Sequence, residues 1–247
     1  MIKRGVRRNV VLAMAGFAMF GAAASPAAVK PAAAKAAAAK PAARDWTQSV
    51  TMTPEGSYVL GNPLAKVRLV EYLSMTCNHC AHFTGESLKP LTDNYVRPGL
   101  VSIEVRHAIR DSLDVAATLL ARCGGGKTFF GNVEALMAAQ ESWVRDAVAF
   151  QEADQGAAAK LPLNDALAAF ARGAGLDRII ATRGITPARA TACLSNKPEQ
   201  DRLVAMAREA WSTRQIPGTP AFLINGTLVG GASSWATLEP KLRDALK

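Results

Sequence analysis

The sequence predicts an α/β domain in which a long, wholly helical segment separates a strand–helix–strand start from the closing strands. Three observations carry that expectation. Val67–Leu73 is an apolar, β-branched-rich run that feeds Cys77-Asn78-His79-Cys80, where a strand hands over to a helix, and Leu100–His107 supplies a second strand after Pro98-Gly99. From Asp111 to about Arg214 the pattern is helical, with no convincing strand. Strand character returns over Thr219–Gly230, where Asn225-Gly226 between two apolar runs signals a hairpin, since both central residues of a type I′ turn take positive φ.

Taken in order, the chain opens with a basic segment through Arg8, an apolar stretch Val10–Ala24 and the small residues Ala22–Ser25, the pattern of an export signal over residues 1–24. Fifteen apolar residues interrupted by Gly16 and Gly21 fall short of the roughly 20 that span a bilayer, so cleavage is favoured over anchoring. Residues 25–44 are almost only Ala, Lys and Pro; they have nothing to bury and read as a solvated tether with no dimerisation module, so a monomer is expected. The formal net charge of +9 is concentrated here: residues 1–44 hold eight basic side chains and no acid, which leaves +1 for residues 45–247. A nearly neutral folded part gives no support for nucleic-acid binding.

After Asp45, Trp46–Val50 and Tyr58–Pro63 read as short extended pieces around the turn Thr53–Gly56. The strand at Val67–Leu73 comes next, then a helix from about Cys77 towards Val96 with a kink or break at Pro90, then the strand at Leu100–His107. A strand, a helix and a parallel strand make the crossover unit of an α/β domain. In the helical segment, helices are expected up to Cys123 and over Phe129–Ala139, Leu163–Ala171, Thr186–Leu194 and Glu199–Thr213. Trp235–Lys247 closes the chain as an amphipathic helix with Leu238, Leu242 and Leu246 on one face.

The chemistry points to Cys77 and Cys80. A cysteine at a helix N-terminus faces unpaired backbone N–H groups and the positive end of the dipole, which favour thiolate over thiol, so Cys77 reads as the attacking sulfur. Cys80, one turn on, is the resolving thiol. Asn78 and His79 tune the thiolate, and His79 can donate to a sulfur or add positive charge, making the pair more oxidising. Glu71, six residues before Cys77, is an acid inside an apolar strand; a solvent-facing strand-end carboxylate is its ordinary reading.

Glu71–Cys80 early and Ile216–Gly226 late, around a helical insert, resemble the DsbA-type thiol–disulfide oxidoreductases over roughly residues 50–247. The resemblance implies a thioredoxin fold, a central mixed β-sheet flanked by helices, over 45–110 and 215–247, with an inserted all-helical subdomain at 111–214. It implies an exported, periplasmic enzyme that oxidises dithiols of reduced or unfolded proteins through a mixed disulfide at Cys77 resolved by Cys80. No cofactor is needed, and a membrane quinone-linked partner would reoxidise the pair. It assigns Pro220 a cis bond opposite the cysteines, Thr219 a substrate contact, and Glu71 a place beneath the site in proton transfer from Cys80. The family's best-known motif is Cys-Pro-His-Cys; His79 matches and Asn78 departs.

Four cysteines permit three pairings. With Cys77 and Cys80 taken together, Cys123–Cys193 is the simplest completion, and some branches of the family resemble this in carrying a second, noncatalytic disulfide; the alternative is two buried free thiols. Other readings of the same residues are weaker. Cys77, Cys80 and His82 would make most of a zinc site, but no second paired motif supplies the rest, so no metal is expected. Ala121–Thr128 imitates a phosphate loop, yet a helix precedes it where a strand is required, and Asn225-Gly226-Thr227 fits a glycosylation sequon that the hairpin explains better. The functional alternatives are a reductase or isomerase on the same fold, and a non-catalytic peptide-binding module with structural cysteines.

Overall fold

The computed structural model describes residues 44–247; the expected signal peptide and all of the tether except Arg44 lie outside the described residues. Among these, six strands form one sheet in the order β1-β2-β4-β3-β5-β6: β1 (Val50–Met52), β2 (Tyr58–Leu60), β3 (Val67–Leu73), β4 (Val101–His107), β5 (Ala221–Ile224) and β6 (Thr227–Leu228). β3 is central. It pairs in parallel with β4, Val67 opposite Val101 through Leu73 opposite His107, and antiparallel with β5, Leu69 opposite Ile224 through Tyr72 opposite Ala221. All of β3 but Arg68 is buried, as a strand covered on both faces requires.

One face of the sheet is covered by α1 (Asn78–Leu91) and α9 (Trp235–Ala245). Cys80, Phe83, Ser87 and Leu91 recur at helical spacing on the buried side of α1, and Leu238 and Leu242 do so on α9. They pack with Val67, Leu69 and Phe222, and the Phe83 and Phe222 rings stand 4.6 Å apart. Pro90 lies inside α1 and the chain widens into a looser turn at Thr92–Val96, the break that a missing N–H produces. On the other face Val70, Tyr72, Ala221 and Leu223 meet Ala210, Trp211 and Ile216.

Between β4 and β5 the described chain is helical: α2 (Ser112–Arg122), α3 (Gly126–Ala138), α4 (Gln140–Asp154), α5 (Leu163–Gly173), α6 (Leu176–Ala181), α7 (Pro187–Leu194) and α8 (Lys197–Arg208), which continues as a wider turn over Glu209–Thr213. Two of these, α4 and α6, are absent from the sequence expectation. α4 buries only Gln140, Trp143 and Ala147, too little to produce an apolar period, and α6 is a six-residue helix begun by Gly175 at φ 70°. Gly124 and Gly125, at φ 106° and 74°, turn the chain between α2 and α3, so a helix precedes the phosphate-loop imitation. The largest apolar cluster runs from Leu73, Met75 and Val105 at the sheet into α2, α3 and α5, and it includes both Cys77 and Cys80. No helix among the described residues is long and apolar enough to cross a membrane.

Candidate active site

β3 ends at Leu73, and Ser74–Thr76 carry the chain to Cys77, which caps α1 with extended backbone angles, φ −89° and ψ 116°. That geometry turns the Cys77 sulfur back towards the first N–H groups of the helix. Both cysteines are free thiols, and both are buried, while Asn78 and His79 between them are exposed. The pKa of Cys77 is pushed down to about 5: the Cys80 thiol donates to its sulfur, burial opposes this, and the Thr219 side chain and the backbone N–H groups of Cys80 and His79 add to the stabilisation of the thiolate. The Cys77 thiol also lies 3.1 Å from the Thr219 carbonyl oxygen, which accepts from it. Cys80 is displaced the other way, first by burial, then by its bond to Cys77 and by the nearby Glu71 carboxylate.

Glu71 is buried within β3, opposite Val105 and Phe222, and its Oε1 has no hydrogen-bond partner among the described residues. Burial raises its carboxyl to about 8. It is therefore not a solvent-facing strand-end acid. Thr219-Pro220 is a cis peptide bond that leads into β5, beside Cys77. His79 reaches the sulfur through its backbone N–H; its imidazole is exposed and makes no hydrogen bond among the described residues. Asn78 is exposed too, and its Oδ1 accepts from that same His79 N–H at 3.0 Å. The side chain at position 78 thus competes with the sulfur for one donor.

Two residues that the sequence did not single out hold this loop. Asp114 of α2, fully buried, accepts from Ser74 Oγ at 2.7 Å, the Met75 N–H at 2.8 Å and the Arg110 N–H at 3.1 Å. Burial lifts its carboxyl to about 6 against those bonds. Gln140, the first residue of α4, donates from Nε2 to the Met75 carbonyl at 2.8 Å and the Cys77 carbonyl at 2.9 Å. In the sequence Asp114 looks like an ordinary first-turn acid behind the Asp111 cap, and nothing marks Gln140. Away from the loop, Cys123 at the end of α2 and Cys193 near the end of α7 form a disulfide, Cα atoms 5.7 Å apart. His82 is exposed on α1, and no group of three or more His, Cys, Asp or Glu suited to a metal ion occurs among the described residues.

Comparison with known proteins gives a consistent picture. The family model described as Thioredoxin matches residues 53–244. A crystal structure of a protein-disulfide isomerase from Novosphingobium aromaticivorans is similar, with a TM-score of 0.72 and 35% identity, over 76% of this chain and 96% of that one. Wolbachia pipientis alpha-DsbA1 shares the fold, with a TM-score of 0.62 and 21% identity over 79% of this chain and 93% of that one. A Rickettsia conorii protein provisionally named a protein-disulfide oxidoreductase is 27% identical over 179 residues, 72% of this chain. The chain spans 57% of the length of that relative.

Proposed function

The chain belongs to the thioredoxin family, and on that premise we propose that it is an exported protein thiol–disulfide oxidoreductase that oxidises substrate dithiols with a Cys77–Cys80 disulfide. The observation that carries the reading is a pair of free thiols one helical turn apart at the start of α1, Cys77 at the cap beside the cis Thr219-Pro220 bond; the Cys77 pKa is lowered to about 5 and that of Cys80 raised. A thiolate stabilised at Cys77 favours the reduced enzyme, so the disulfide is a willing electron acceptor.

A substrate thiolate attacks the Cys77 sulfur of the oxidised pair; a substrate–Cys77 bond forms, the Cys77–Cys80 bond breaks, and Cys80 leaves with the electron pair. Glu71, still largely protonated at neutral pH, gives Cys80 a proton and becomes a carboxylate. The substrate's second thiolate then attacks its own sulfur in the mixed disulfide and displaces Cys77 as the stabilised thiolate. Attack by Cys80 on the mixed disulfide, the resolving step expected from the sequence, returns the substrate reduced; it belongs to the reverse, reductive direction. Thr219 presents backbone to an extended substrate and Pro220 sets its position opposite Cys77, while the Cys123–Cys193 disulfide has a structural role.

On this reading the enzyme is a periplasmic monomer, its substrates are reduced or unfolded exported proteins, and a membrane quinone-linked partner restores the disulfide. Isomerisation is the second reading, favoured by the name of the 35% identical Novosphingobium protein. Asn78 bears on the choice, because it draws the His79 N–H away from the thiolate and so makes the pair less oxidising than one with no acceptor there. Titration of the Cys77–Cys80 pair against glutathione separates the readings: an oxidase has a potential well above that of thioredoxin. A value near thioredoxin's, with activity on scrambled disulfides, would replace oxidase by reductase or isomerase. No transfer through Cys77 at all would leave a binding module.

A further inference from the structure

The sheet face opposite α1 carries a pocket of about 410 Å³ at its far end. Arg68 lies near the start of β3, about 17 Å of strand before its end at Leu73, from which a turn leads to the cysteines. Arg68, Arg106 and Arg214 line it, Val70 and Leu223 form an apolar floor, and no acidic side chain is in the lining. Strand alternation explains why the residues of the sheet meet: Arg68, Val70 and Tyr72 of β3 share one face, and Arg106 of β4 stands opposite Tyr72.

The three guanidinium groups are held differently. Arg106 gives Nε to Glu104 at 2.7 Å and Nη1 to Glu209 at 3.0 Å, which fixes its plane and leaves Nη2 without a partner among the described residues. Among the described residues Arg214 gives only Nε to Glu209, at 3.1 Å, leaving both terminal nitrogens uncommitted. Arg68 is exposed and has no carboxylate within ion-pair distance among the described residues. Its backbone is nevertheless fixed, because its N–H donates to Asn225 Oδ1 at 2.8 Å and its carbonyl accepts the Asn225 N–H at 2.9 Å. The carboxylates that act on Arg106 and Arg214, Glu104 and Glu209 by hydrogen bonds and Glu55 by charge alone, lie outside the lining, so the wall that borders this concave space is itself basic over an apolar floor.

We propose that this pocket binds an oxyanion of the phosphate class. Guanidinium groups match phosphate in paired, near-parallel hydrogen bonds, and two of the three here are oriented before any ligand arrives, which lowers the ordering cost. The ligand is inorganic phosphate or the phosphate of an anionic lipid headgroup; the chemistry recognised is the same. The site is independent of the cysteines, so it stands or falls apart from the redox function.

The test uses the folded chain, with binding of inorganic phosphate measured by calorimetry and binding to phosphatidylglycerol or phosphatidylcholine vesicles measured by sedimentation. Arg68→Gln is the main variant, Arg214→Gln the second, and Lys160→Gln, on an exposed turn elsewhere, the charge control. Arg68 is a surface residue with no side-chain partner, so its variant is expected to unfold at the parental temperature. Saturable phosphate binding weakened at least tenfold by both arginine variants, and unchanged in Lys160→Gln, supports the pocket with a free anion as ligand. The same pattern on phosphatidylglycerol vesicles only, absent on phosphatidylcholine, supports it with a lipid headgroup. If neither ligand distinguishes Arg68→Gln from the control, or if Arg214→Gln keeps parental affinity, the pocket does not bind as a unit and the proposal fails.

Discussion

Cys77 and Cys123 are nearly equally buried, 4% and 2% exposed, yet they occupy opposite ends of their helices. Cys77 caps the N-terminus of α1, where free N–H groups and the positive end of the dipole meet its sulfur. Cys123 follows the last residue of α2, and Cys193 is the last residue but one of α7, both at C-terminal ends where carbonyl oxygens disfavour a thiolate. On the proposed function, burial is therefore not what separates the redox pair from the structural one. Helix polarity is, together with spacing: the first pair closes a loop inside one turn, the second ties elements 70 residues apart.

The comparison can be broken most directly by exchanging serine for sulfur. Cys77→Ser is expected to abolish oxidation of a reduced protein substrate, whereas Cys123→Ser/Cys193→Ser keeps it and loses about 4 kcal/mol of stability in the chain-entropy account. Denaturant unfolding and a substrate-oxidation assay on both variants check this; oxidation by Cys77→Ser, or its loss in the double variant, would reverse the assignment.

A second difference is the acid. In the first pair Glu71 acts on Cys80, and its folded pKa, about 8, lies above the ordinary 4.5. Between those values the folded chain holds a proton that the unfolded chain has released, so its contribution is full below pH 4.5, falls as pH rises, and is gone above about 8. Glu71→Gln is expected to remove that loss, gaining a few kcal/mol over the parent at pH 9, and to abolish the alkaline limb of the reaction's pH profile. Unchanged pH profiles of stability and rate in the variant would deny Glu71 both roles.

Smaller effects sharpen the picture at the reactive end. Gln140→Leu strands the Met75 and Cys77 carbonyls and is expected to cost about 1–3 kcal/mol, with a raised Cys77 thiolate midpoint in ultraviolet absorbance. Destabilisation with an unmoved midpoint would make Gln140 purely structural. Asn78→Pro, at the first helical position where proline is tolerated, frees the His79 N–H for the sulfur. It is expected to lower the Cys77 midpoint by up to about one unit, roughly 1.4 kcal/mol; no change would remove Asn78 from the tuning of the pair.

What the sequence made legible follows from what is local. The run Val67–Leu73, the alternation around Asn225-Gly226 and the leucines of α9 each announce their element, because one apolar face or one turn geometry decides it. α4 stayed hidden because a helix that buries three residues leaves no periodic signature. Asp114 and Gln140 stayed hidden for another reason. Their partners, Ser74, Met75 and Cys77, are 39 to 65 residues away, and a hydrogen bond across that separation exists only once α2 and α4 pack beside the loop. Glu71 was visible as a residue, but its burial depends on β4 and β5 flanking β3 and α1 lying over it.

The central position of β3 also sets a calendar for the molecule's birth. Chains are made from the N-terminus, and β3, α1 and β4 exist long before β5, whose pairing with β3 joins residues about 150 positions apart. Until then β3 has one bare edge, and Cys77 lacks the Thr219 contact that lies 142 residues downstream. A nascent chain thus carries Cys77 and Cys80 beside an unfinished sheet, before Thr219 can approach the Cys77 sulfur. The largest influence on the Cys77 sulfur, the Cys80 thiol, is local and comes with α1, whereas the part played by the Thr219 side chain arrives only when nearly the whole chain has been made, so the site is completed last.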